Sequence, residues 1–130
     1  MLLLYITSVE TMNYNELCKV IASIYDNIEV VIVLSNKKIV ASNLKQGGPM
    51  PSDEEFRDMI SQIETIIRTT KINEDKFGSL DFIVIHYKYI DGLFFPLNDK
   101  DTLIIGIVQP YNYDVVMNKI LALVKQIASS

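Results

Sequence analysis

What this chain lacks narrows its chemistry before its contents are considered. Cys18 is the single cysteine, so no internal disulfide can form and no second thiol can complete a zinc site. His86 is the single histidine, tryptophan is absent, and Arg57 and Arg68 are the only arginines among 12 basic residues. Against 16 acidic residues this gives a formal net charge of -4, without the concentrated positive field that a phosphate backbone demands, so nucleic acid is not an expected partner. The apolar start, residues 1–9 (MLLLYITSV), has no basic flank and no small-residue cleavage motif. It is under half the roughly 20 residues that span a bilayer, so neither a secretory signal nor an anchor is expected, and a reducing, cytoplasmic setting fits best.

What is present is an ordinary globular composition, 49% hydrophobic and 22% charged over 130 residues, enough for one domain with a real core. Met12 directly precedes the first helical repeat. Residues 1–11 are therefore an N-terminal extension, either an over-extended start or an extra edge strand, and residues 12–130 a single domain. Tyr14, Leu17, Ile21 and Ile24 have the three-and-four spacing of one helix stripe, with Cys18 beside it as an apolar filler. Residues 29–34 and 38–41 are β-branched runs joined by the polar Ser35-Asn36-Lys37, a hairpin whose first strand is apolar on both faces and hence central. The Gly47-Gly48 pair between Gln46 and Pro51 reads as a plain connector, because neither a dinucleotide fingerprint nor a P-loop surrounds it.

Ser52-Asp53-Glu54-Glu55 has the form of a capping box and starts a second helix, whose apolar positions are Phe56, Met59, Ile60, Ile63, Ile66 and Ile67. After a polar link at residues 73–76, three strands follow over 80–90, 93–97 and 102–108, with Asp91-Gly92 as the first turn and residues 98–101 as the second. Pro96 belongs at an outward or irregular position, and the last strand is central. Asn112 then caps a terminal helix with Val116, Ile120, Leu123, Val124 and Ile127 as its stripe. The expected fold class is α+β, a five-stranded antiparallel sheet with three helices in the order α-ββ-α-βββ-α.

No catalytic, cofactor or metal residue emerges. His86 has no carboxylate beside it in sequence, Asp53, Glu54 and Glu55 are explained by helix capping, and Asp91, Asp99 and Asp101 by turns. Sheet packing accounts for most of Tyr87, Tyr89, Phe94 and Phe95, and those that face outward would form a partner patch.

The order of elements over residues 14–127 resembles the roadblock family of dynein-light-chain-type domains, which share their layering with profilin-like sensors. The wording of Glu16-Leu17-Cys18, residues 51–55, residues 75–80 and Phe95-Pro96-Leu97 also resembles a family of small archaeal proteins from ammonia-oxidising lineages. The roadblock likeness implies a non-enzymatic module without cofactor, dimerising through its second helix and sheet edge and serving as a regulator or scaffold for a small Ras-like GTPase. In that dimer Phe56, Met59, Ile60, Ile63 and Ile67 supply buried contact, while Arg57 and Glu64 set register at the rim. The profilin-like alternative is a small-ligand sensor.

Overall fold

The computed structural model describes residues 13–45 and 52–129. Its elements are α1 (Tyr14–Ala22), β1 (Ile28–Ser35), β2 (Lys38–Leu44), α2 (Asp53–Lys71), α3 (Glu74–Phe77), β3 (Ile83–His86), β4 (Ile90–Pro96), β5 (Asp101–Val108) and α4 (Tyr113–Ser129). The strands form one antiparallel sheet in the order β2-β1-β5-β4-β3. This is the expected architecture with one extra turn of helix, α3, in the polar link. The N-terminal extension and the Gly47-Gly48 connector lie outside the described residues.

Local chemistry sets the boundaries. Asn13 caps α1 by accepting from the Glu16 amide, and Ser52 and Glu55 satisfy each other's backbone amides in a full capping box at α2. The β1–β2 turn holds both central residues at positive φ, Asn36 at 51° and Lys37 at 69°. Left-handed backbone costs a non-glycine residue about 1–2 kcal/mol, so Lys37 stands where glycine would be easier.

Alternation along β1 divides the interior. Val31 and Val33 face α1 and α4, whereas Ile32 and Leu34 face α2. Residues 31–34 of β1 are covered on both faces, and β5 is buried on one face and half-covered on the other, which is why residues 30–34 and 103–108 carry no charged or polar side chain. Pro96 is the last residue of β4, beyond the stretch paired by β3, where a missing donor disturbs least.

The second hairpin departs from expectation. Asp91-Gly92 is not its turn: both residues lie inside β4, and the chain reverses over 87–89, where the Tyr87 amide donates to Ile90 O at 3.0 Å. Asp91 is buried among hydrogen-bond donors, and Gly92 lies directly opposite Gly106 of β5. The pair is used for side-chain chemistry and for close packing, so its turn propensity is overridden by tertiary structure.

Candidate interaction face

Among the described residues, helix α2 alone packs on one face of the sheet. Ile60 meets Ile32 and Leu34 with Phe56 half-buried beside them, and Ile63 and Ile67 meet Phe94. The remaining apolar residues of the helix, Met59 and Ile66, stay 46% and 37% exposed on the flank toward β3. Of the expected interface set, Ile60, Ile63 and Ile67 are thus buried against the protein's own sheet. Arg57 and Glu64 stand on the opposite flank, toward the β1–β2 hairpin, where Glu64 approaches Lys37 at 3.9 Å. Met59 and Ile66 lie on the other flank of the helix from these two charged residues.

Beneath that strip the helix stands away from the sheet. Gly92 and Gly106 pair across β4 and β5. A Cβ on Gly106 would meet Ile90 and Val30 at 3.4 Å and one on Gly92 the Phe94 ring at 3.0 Å, so no α2 atom is among the nearest neighbours of either. The result is a mostly apolar cleft of about 270 Å3, floored by bare backbone and bordered by Met59, Ile66, Ile85 and Tyr87. Neither glycine carries a sequence signal for this, because strand register alone brings them together.

The four aromatic residues, most of them expected in sheet packing and the outward ones as a partner patch, fall in three environments. Phe95 is fully buried under α1 and α4, Phe94 is buried under α2, and only Tyr87 and Tyr89 are exposed. Adjacent strand residues point to opposite faces, so Phe94 and Phe95 could never share a surface.

His86 does have a carboxylate beside it. The β3–β4 register places it opposite Asp91, with Nδ1 2.6 Å from Oδ1. Gln109 donates from Nε2 to Asp91 Oδ1 at 2.6 Å and to Tyr87 O at 2.9 Å, and Tyr111 donates its hydroxyl to Asp91 Oδ2. Both Gln109 amide hydrogens are thereby committed, so the His86 Nδ1 proton is assigned to Asp91 and the 2.8 Å approach of Gln109 Nε2 to Nδ1 is proximity alone. Burial pushes the Asp91 carboxyl up, but Tyr111, His86 and Gln109 outweigh it and hold the group below its ordinary value. Burial and the same carboxylate push the Tyr111 hydroxyl well up.

A histidine on an aspartate invites comparison with an acid–base pair. Here the His86 side chain is largely in solvent and the carboxylate is saturated by donors, so the cluster ties the β3–β4 hairpin to the start of the α4 connection. A second cluster closes the other end of the sheet. Burial pushes the Asp101 carboxyl up, but Ser35, Tyr14 and Asn98 outweigh it and hold the group low, while Tyr14 is pushed up to about 12. Cys18 is buried and its thiol is pushed up to about 11 by desolvation, as befits a packing residue. Among the described residues no group of histidine, cysteine, aspartate and glutamate side chains is arranged to hold a metal ion, and no helix is long and apolar enough to cross a membrane.

No family model and no curated protein matches this sequence, so the likeness to small archaeal proteins has no support from those comparisons. Solved structures do match. The roadblock/LC7 domain from Streptomyces avermitilis superposes with a TM-score of 0.67, covering 87% of this chain and 92% of that chain at 10% identity. The fold is that of roadblock/LC7 domains. MglB from Myxococcus xanthus gives a TM-score of 0.71 over 92% of this chain and 95% of that chain, also at 10% identity. Gliding protein MglB from Thermus thermophilus gives 0.66 over 88% and 87% at 8% identity. At such identities the resemblance establishes architecture alone.

Proposed function

We propose that this chain is a non-enzymatic protein–protein interaction module of roadblock type, a homodimer acting as a regulator or scaffold, with a small Ras-like GTPase as its partner class. The observation that carries this is the exposed strip of Met59 and Ile66 on α2, continuous with Tyr87 at the end of edge strand β3. Such a strip beside a strand edge that is unpaired among the described residues is a ready surface for a second copy. Ile60, Ile63 and Ile67 hold the helix on its own sheet, Phe56 is half-available, and Met59 and Ile66 make the contact. The roadblock architecture supports the reading, and one solved neighbour, at a TM-score of 0.64 and 9% identity, is an MglB in a tetrameric arrangement.

The test is solution mass by light scattering across a dilution series, for the full chain and for one beginning at Met12. A persistent dimer from both supports the module and leads to capture of GTPases loaded with GDP or GTP. A monomer at every concentration removes the dimer. It also moves weight to a second reading, a small-ligand sensor, which the glycine-floored cleft favours because bare backbone beneath apolar walls suits a flat apolar ligand.

A further inference from the structure

At the opposite end of α2 from its capping box, three separate elements bring cations around one open hollow of about 460 Å3. Arg68 and Lys71 come from the last turn of α2, Lys37 from the β1–β2 turn and Lys100 from the β4–β5 turn. Four of the 12 basic side chains of an acidic protein thus line a single hollow, against two carboxylates, Glu64 and Asp99. Glu64 lies 3.9 Å from Lys37, and no other ion pair forms here among the described residues.

Helix-end electrostatics would account for Arg68 and Lys71 by themselves. It does not account for Lys37 and Lys100. The two turns that carry them are fastened together by a backbone bond from Asn36 N to Lys100 O at 3.3 Å, so the cations sit on a fixed frame.

We infer that this hollow is a docking surface for an acidic segment of a partner protein. Charge complementarity carries the choice, since four cations around one hollow on a chain of net charge -4 select a negatively charged segment. None of the four cations is buried and they are spread over three elements, which suits carboxylates spaced along an extended chain better than one compact anion. Ile67 and Pro96 add an apolar floor for the stem of such a segment. The surface lies away from the Met59 and Ile66 strip, so the inference stands whether or not the chain dimerises.

Fluorescence anisotropy with a labelled deca-glutamate peptide tests it, on the wild-type chain, the R68E/K71E variant and the control K19E/K125E, which changes net charge equally from α1 and α4. The peptide is expected to bind the wild type, to lose about ten-fold or more in affinity with R68E/K71E, and to change less than about two-fold with the control; binding also weakens as salt rises. Circular dichroism confirms that each variant is folded. Should the two variants weaken binding equally, net charge alone is at work and the docking surface is wrong. The surface is equally wrong if inorganic phosphate or phosphatidylserine vesicles bind while the peptide does not.

Discussion

The two faces of the sheet are built to different standards. Under α1 and α4, Leu17, Ile21, Phe95, Leu103, Ile105 and Ile120 interlock in a single cluster with almost no exposure. Under α2 there are two smaller clusters, a cleft floored by glycines, and apolar side chains left in solvent. Full packing yields stability, whereas apolar groups left over from packing yield a surface that another molecule can use. On the proposed function, the first face holds the domain together and the second is the one available for contact.

That assignment can be broken most directly by truncation. Phe95→Ala is expected to destabilise by about 3–5 kcal/mol, as large aromatic deletions in closed cores do, while Phe56→Ala on the α2 face should cost no more than about 1–2 kcal/mol because its site is half-open. Urea melts of the two variants measure this, and equal losses would erase the distinction between the faces.

Next in size is the clamp at the hairpin end. Asp91→Ala leaves Tyr111 and Gln109 without their acceptor and should cost about 1–3 kcal/mol. The pH dependence follows from the same groups. Because Asp91 and Asp101 have lower values folded than their ordinary 3.8, their contribution is present above that value and is lost as pH falls below it. Tyr14 and Tyr111 have raised values, so their contribution is present below pH 10 and is lost as pH rises beyond it, for Tyr14 through about 12. Thermal melts from acid to alkaline pH should show both flanks, and Asp91→Ala should flatten the acid one.

The smallest effect sharpens the comparison. Gly106→Ala places a methyl at 3.4 Å from Ile90 and Val30 and should leave stability within about 1 kcal/mol of wild type while narrowing the cleft. A loss several times larger would mean that α2 sits closer to the sheet than the open cleft requires.

Much of this architecture is legible in the amino-acid order. The capping box at Ser52, the uninterrupted apolar runs of β1 and β5 and the three helical stripes each state their environment through local chemistry. The contact face is less legible, because its features depend on register. Asp91-Gly92 has the local form of a turn and becomes strand only because His86, Gln109 and Tyr111 meet the carboxylate from elsewhere. The spacing of Ile60, Ile63 and Ile67 marks an apolar stripe without saying whether it meets its own sheet or a second chain. The gathering of Lys37, Arg68, Lys71 and Lys100 has no linear trace at all.

The central claim, that the α2 face is the face of contact, is tested most directly by the solution mass of M59D/I66D beside the wild type. Both positions are partly exposed, so the account predicts a dimer for the wild type and a folded monomer for the variant, with a stability cost of about 1–2 kcal/mol per site from lost apolar contact. A variant that keeps the wild-type mass while remaining folded would contradict it.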